Sequence, residues 1–233
     1  MPNNSMDAVL NIHKPTGITS YDVVRRMKRL MPSVKVGHGG TLDPFAEGVL
    51  LILVGRATKK MPDLLQNRKQ YRAVLKLGQA TRSGDPTTPV CAEQPVPVIT
   101  DQMLRSVTGQ FSGELWQTPP AFSAKKVGGR PAYLAARRGE EVPLAPRKII
   151  IEKLALHALS QDHLQIDVVC SSGTYIRVLG EDIARALGSV GHLVALQRLR
   201  IGDYGIENAI PLTEIETRLN LTGNGFSGNG DVH

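Results

Sequence analysis

QYRAVLKLG, residues 70–78, sets Tyr71, Ala73, Leu75 and Leu77 against Arg72, Val74 and Lys76. Alternation with period two sends successive side chains to opposite faces, so the stretch predicts a half-buried strand. HLQIDVVC, His163–Cys170, repeats the pattern with Leu164, Ile166, Val168 and Cys170. Residues 8–17, AVLNIHKPTG, read as a strand ending in a Lys-Pro turn, and residues 148–157 as a further strand. RIGDYGI, residues 200–206, reads as the last strand.

Helices are expected between these strands. Thr19, with Asp22 three residues on, has the form of a capping box. Val23, Met27, Leu30 and Met31 then keep helical spacing until Pro32, with Arg25, Arg26, Lys28 and Arg29 on the solvent side. Residues 99–109 read as a short helix capped by Thr100 and closed by Gly109. Another runs from Pro131 to Gly139. Ile176, Leu179, Ile183 and Leu187 recur at spacings of three and four before Gly188, and a last helix is expected over residues 191–199. The run VLLILVG, residues 49–55, is a buried strand or a buried helix. Strands and helices mix without βαβ alternation and there is no internal repeat. The expected class is therefore α+β, a mixed, largely antiparallel sheet flanked by helices. Residues 1–211 form the expected folded body, and residues 212–233 a short helix and a Gly/Asn-rich tail expected to be disordered.

A chain of 233 residues can bury a substantial core, and no run approaches the roughly 20 apolar residues that span a bilayer. The start lacks a charged segment followed by an apolar one, so export is not expected. Cys91 and Cys170 have no metal or redox spacing and read as reduced thiols of a cytoplasmic protein. The six histidines pair with no other His or Cys at ligand spacing, so no metal site is expected. The net charge is +7, and five of those charges are concentrated in residues 118–148. A basic segment of that kind points to a polyanionic partner.

The chemistry centres on VGHGGTLDPFAEGVLLILVG, residues 36–55. It is no phosphate cradle, because Thr41-Leu42-Asp43-Pro44 stands where a Gly-Lys-Ser/Thr would be needed and an acid there repels phosphate. Asp43 before Pro44 is either a turn residue bonding its own backbone or a carboxylate nucleophile held between glycines and an apolar anchor. His38 is a turn histidine or a planar group for stacking on a base. Tyr71 is a core aromatic or a stacking platform. In SSGTYIRVLGED, Arg177 either pairs with Glu181 on the helix surface or reaches a buried carboxylate, with Tyr175 flanking it.

Together these stretches resemble the bacterial tRNA pseudouridine-55 synthases, the TruB family. The resemblance covers about residues 9–211. It rests on NIHKPTGITSYDVV, VGHGGTLDPFAEGVLLILVGRATK, KQYRAVLKLGQATRSGD and CSSGTYIRVLGEDIARALG in that order, with the basic 118–148 segment standing where the family inserts an RNA-gripping element. It implies the pseudouridine synthase fold and isomerisation of uridine 55 in the T-loop of tRNA, with an aspartate nucleophile and no cofactor. Asp43 matches the catalytic aspartate, Tyr71 the tyrosine that stacks on the target base, and Arg177 the arginine that pairs with the aspartate. His38, Tyr175, Leu196 and Lys14 match positions around the target nucleotide, and Gly40 and Thr41 belong to the same substrate-binding loop. Lys125, Lys126, Arg130, Arg137 and Arg138 are the expected RNA contacts. The implied partner is the tRNA T-stem-loop, and the chain is expected to act as a cytoplasmic monomer with no obligate protein partner. The family loop usually has Thr in place of Gly39 and a small or polar residue in place of Glu47. The resemblance also implies a C-terminal RNA-binding domain that is missing or reduced here. An RNA-binding module without catalysis and a nucleotide-binding enzyme are the alternative readings.

Overall fold

The computed structural model describes residues 7–221 apart from 124, 128, 129, 137, 139, 141 and 142. In chain order the strands are β1 (Ala8–Lys14), β2 (Val36–Gly39), β3 (Glu47–Val54), β4 (Lys69–Leu77), β5 (Gln79–Thr81), β6 (Val90–Glu93), β7 (Gly113–Gln117), β8 (Lys126–Val127), β9 (Arg130–Pro131), β10 (Arg147–Ala158), β11 (His163–Cys170), β12 (Gly191–Ile201), β13 (Tyr204–Gly205) and β14 (Ile210–Pro211). The helices are α1 (Ser20–Leu30), α2 (Met61–Gln66), α3 (Asp101–Gln110), α4 (Ala132–Ala136), α5 (Ile176–Ala186) and α6 (Leu212–Leu221). The chain divides into two compact units, one of residues 1–67 and 198–233, the other of residues 68–197.

In the first unit β3 runs antiparallel to both β1 and β2, pairing Leu50 with Ile12 and Leu51 with Gly39. β14 joins β1 in parallel, so the sheet is mixed. VLLILV is thus a strand, and it is uninterrupted because both of its faces are buried. Leu50, Ile52 and Val54 pack with Ile12, Val23, Met27, Leu212 and Ile215, while Val49 and Leu51 pack with Ile201 on the other side. The expected capping box opens α1. The Thr19 hydroxyl accepts the Asp22 amide, and the Asp22 carboxylate accepts the Thr19 amide. Arg25, Lys28 and Arg29 lie exposed, whereas Arg26 is half-buried and reaches Glu216 of α6 at 3.6 Å.

The second unit carries the antiparallel run β4–β11–β10–β7. The period-two reading holds residue by residue. Tyr71, Ala73, Leu75 and Leu77 are buried, and Leu164, Ile166 and Val168 lie on the same face of the neighbouring strand. Ile176, Leu179 and Ile183 of α5 are buried as their spacing requires. Gly180 lets α5 approach, since a Cβ there would lie 2.8 Å from Leu193 and 3.5 Å from Leu75. Thr100 caps α3, as expected, though the helix continues through Gly109 to Gln110.

Two expectations are corrected. Residues 191–199 are not a helix but the main part of β12. Leu, Ala, Gln and Arg favour a helix by no more than about 0.7 kcal/mol each. Burying a side chain such as Leu193, Leu196 or Ile201 is worth about 1.5–3 kcal/mol, so burial decides. Its buried positions include the polar His192 and Arg198 while the apolar Val194 and Leu199 are half-exposed, so hydropathy does not alternate along the strand as burial does. The expected strand over residues 200–206 is instead the end of β12, a turn at Gly202 with φ +52°, and the two residues of β13. The Pro/Gly-rich loop of residues 81–90 is closed by a short β5–β6 hairpin, and β7 and α2 had no sequence signal. Within the basic segment β8 and β9 form a hairpin that leads into α4, while Gly139, the expected helix stop, and the tail beyond residue 221 lie outside the described residues. Among the described residues no helix is long and apolar enough to cross a membrane.

Candidate active site

Lys14, His38, Gly40, Thr41 and Asp43 fall in the first unit. Asp43 is half-buried in the turn that links β2 to β3. Its loop is stitched to the start of the chain. The Ser20 hydroxyl, at the first residue of α1, donates to Leu42 O at 3.0 Å and accepts the Leu42 amide at 2.8 Å. The Gly17 amide donates to Pro44 O at 2.7 Å, and the Ala46 amide to Asp43 O at 3.1 Å. The Lys-Pro turn expected at Lys14 is therefore the other half of the Asp43 turn. Gly40 has φ +98°, a conformation that side-chain-bearing residues rarely take. Gly48, with φ +107°, meets β12 so closely that a Cβ would stand 2.3 Å from Arg198 O.

Lys14 is fully buried and donates from Nζ to Pro15 O and Ile18 O, both at 2.8 Å. Burial lowers its pKa to about 8 from the ordinary 10.5; the Asp43 carboxylate opposes that shift and the Arg198 guanidinium adds to it. The buried charge consequently costs stability, in full below about pH 8. As pH rises to 10.5 the folded chain sheds this proton before the unfolded chain does, and the cost is relieved. Relative to Lys14→Met, the parent should gain on the order of 3 kcal/mol in unfolding free energy between pH 7.5 and 10.5. Urea unfolding of the two proteins at both pH values measures it, and a gap that does not change with pH would refute it. His38 is also lowered below its ordinary value, by burial first and by Arg198 second, so it stands as a neutral ring at pH 7.

Tyr71, Tyr175, Arg177 and Leu196 fall in the second unit. Arg177, in the first turn of α5, is 3% exposed. Its guanidinium donates to Ser83 O at 2.6 Å and Phe122 O at 2.8 Å, and Nη1 lies 3.5 Å from Asp85 Oδ2. Arg177 is thus buried rather than on the helix surface, and within this unit it lies beside the Asp85 carboxylate. Asp85 is itself satisfied, accepting Ser83 Oγ at 2.6 Å and the Thr87 amide at 2.9 Å. Glu181, the alternative partner, packs against Gly84, where a Cβ would lie 2.4 Å from Oε1. Burial pushes the Glu181 carboxyl up to about 7. Tyr71 and Leu196 are buried, 7% and 6% exposed.

Tyr175 precedes α5, which has no side-chain cap. Gln117 takes that place. Its amide oxygen accepts the Tyr175 N–H at 2.8 Å and its amide nitrogen donates to Tyr175 O at 3.1 Å. The Arg147 guanidinium carbon lies 4.8 Å from the centre of the Tyr175 ring. Asp85, Gln117 and Arg198 escaped the sequence reading, and Arg147 entered it only as one charge of the basic segment. The one signal was Asp85-Pro86, which repeats the Asp-Pro of Asp43-Pro44.

Of the expected RNA contacts, Lys125 is half-buried and Arg138 exposed, the latter paired with Glu140 at 2.5 Å. An exposed pair of this kind is weak because solvent screens it, so a phosphate can displace Glu140 at little cost. Lys126 lies on β8 and Arg130 on β9, while Arg137 is outside the described residues. Among the described residues no three His, Cys, Asp or Glu side chains cluster as metal ligands.

A family model described as TruB family pseudouridylate synthase (N terminal domain) matches residues 28–176. The curated protein tRNA pseudouridine synthase B of Psychrobacter cryohalolentis is 43% identical over 221 residues, covering 92% of this chain and 62% of the relative. The protein of the same name from Bordetella avium is 42% identical over 213 residues, 91% of this chain and 87% of the relative. Among solved structures, the crystal structure of a Cbf5-Nop10-Gar1 complex aligns with a TM-score of 0.71 at 28% identity, over 91% of this chain and 54% of that one. The chain thus spans less than two thirds of the first of these relatives and about half of the solved one. On the family match and the extent of these identities, the chain belongs to the TruB family of pseudouridylate synthases.

Proposed function

We propose that the chain isomerises uridine 55 in the T-loop of tRNA to pseudouridine, with Asp43 as nucleophile and without a cofactor. The observation that carries the reading is the Asp43 turn, a carboxylate on a loop whose backbone is bonded to the start of the chain. The names of the relatives support tRNA as the substrate.

The reaction replaces the N1–C1′ bond of uridine by a C5–C1′ bond and moves the C5 hydrogen to N1. It needs neither oxidation nor water, so side chains suffice. It begins with an ionised carboxylate, whether Asp43 attacks C1′, attacks C6 or removes a proton from C2′. The uracil leaves, turns over and rejoins the sugar through C5. To reach Asp43 the base has to leave its stack, at a cost of a few kcal/mol. Stacking on the Tyr71 ring, worth about 1–3 kcal/mol, offsets that cost. The neutral His38 ring offers a second flat surface. Lys125, Lys126, Arg130, Arg137 and Arg138 grip phosphates, and the purified chain acts as a monomer with no protein partner.

Incubation of the purified chain with a tRNA transcript, followed by mapping of modified uridines, tests this. One pseudouridine at position 55 is expected, with none in a transcript carrying cytidine there. Modification only at other uridines would overturn the position. Tight binding without any modification would favour the non-catalytic RNA-binding reading.

A further inference from the structure

Five consecutive carbonyl groups lead into and through the Asp43 turn, and each has a donor. Leu42 O is held by Ser20 Oγ, Asp43 O by the Ala46 amide and Pro44 O by the Gly17 amide. The first two, Gly40 O and Thr41 O, are held by one side chain. Arg198 donates to Gly40 O from Nη2 at 3.1 Å and to Thr41 O from Nη1 at 3.2 Å. Its Nε donates to Val49 O, at the far side of the same turn, at 2.7 Å. Arg198 is 1% exposed, and among the described residues no carboxylate pairs with it. A buried guanidinium is costly unless its donors are used, and here its three nitrogens are spent on both ends of one loop. The close passage of β12 over Gly48 brings the side chain to that place.

We propose that Arg198 is a positioning residue for catalysis, a brace that holds Gly40 in its left-handed conformation and fixes where the Asp43 carboxylate points. The proposal rests on the reading of Asp43 as the nucleophile. Arg198 bonds the loop backbone only, so its contribution lies in the placement of Asp43 rather than in the binding of tRNA. A lysine cannot replace it, because one ammonium cannot reach three carbonyl oxygens that the planar fork spans. Misplacement of a reacting group by about 1 Å can cost on the order of 100-fold in rate.

Single-turnover rates and tRNA dissociation constants of Arg198→Lys, Arg198→Ala and Gly40→Ala test the brace, at a temperature where circular dichroism shows each variant folded. Arg198→Lys should lose on the order of 100-fold in rate with a much smaller loss of tRNA affinity, because the basic residues proposed to grip phosphates lie elsewhere in the chain. Added methylguanidinium should restore Arg198→Ala by about tenfold, refilling the vacated fork. Gly40→Ala, which disturbs the same loop with Arg198 in place, should show the same split, and combining it with Arg198→Lys should cost much less than the sum of the two. A rate within about threefold of the parent in Arg198→Lys, a loss confined to affinity, or full additivity with Gly40→Ala would each overturn the brace. A parent that forms no pseudouridine would instead overturn the proposed function, so the two failures are distinct.

Discussion

Asp43→Asn is expected to abolish pseudouridine formation while tRNA affinity stays within about an order of magnitude of the parent. The substitution keeps the shape of the side chain and the hydrogen-bonding turn before Pro44, so the stitches at Ser20, Gly17 and Ala46 persist. What it removes is the negative charge and the oxygen proposed as the nucleophile. All three routes to pseudouridine begin with that oxygen, and none is open to an amide. Losing a nucleophile of this kind costs on the order of 10⁴–10⁶ in rate. The buried Lys14 also loses the carboxylate that favours its charged form, so its pKa should fall further in the variant. Quench-flow turnover and filter binding on one tRNA transcript separate the two quantities. Retention of more than about 1% of the parental rate would remove Asp43 from the nucleophile's role, whereas a parallel collapse of affinity would make it a binding residue.

The parts of the molecule that could be read from sequence are those whose pattern survives in one stretch of chain. Tyr71 to Leu77 and Leu164 to Cys170 announce their strands because one face is wet and the other dry. Thr19 and Asp22 announce α1 because both halves of the box lie within one turn. The glycines, Asp43 and Pro44 announce a constrained loop because turn chemistry is local. β12 was hidden because polar His192 and Arg198 occupy buried positions and apolar Val194 and Leu199 half-exposed ones, which broke its hydropathy period and left helix-favouring residues to mislead. The residues that support the candidate site were hidden by separation. Arg198 and Thr41 are 157 residues apart, Arg177 and Ser83 94, and Gln117 and Tyr175 58. No periodicity links such positions, and only the fold brings each pair within hydrogen-bond reach. Arg177 shows the limit most clearly. Its sequence left a surface pair with Glu181 and a buried carboxylate as alternatives, and nothing local pointed to Asp85, which lies 3.5 Å away.

Arg177→Lys should cost at least about 100-fold in turnover with affinity for tRNA nearly unchanged. The resemblance assigns Arg177 as the cation that keeps the nucleophilic carboxylate ionised, and its surroundings in the second unit show why an ammonium cannot substitute. The guanidinium is anchored by Ser83 O, Phe122 O and the Asp85 carboxylate, which fix its plane before substrate arrives. Lysine satisfies at most part of that set, and the orphaned buried carbonyls cost about 1–3 kcal/mol each. Asp85→Asn keeps the turn formed with Ser83 and Thr87 but removes the charge that orients Arg177. Its expected loss is smaller, about tenfold, because Arg177 retains both carbonyl anchors. The two substitutions share one pathway to the chemistry, so the double variant should be little slower than Arg177→Lys alone. Additive losses would mean that Asp85 acts apart from Arg177. Normal turnover in Arg177→Lys, with the protein folded, would show that any buried cation suffices there and that the forked geometry has no part in the reaction.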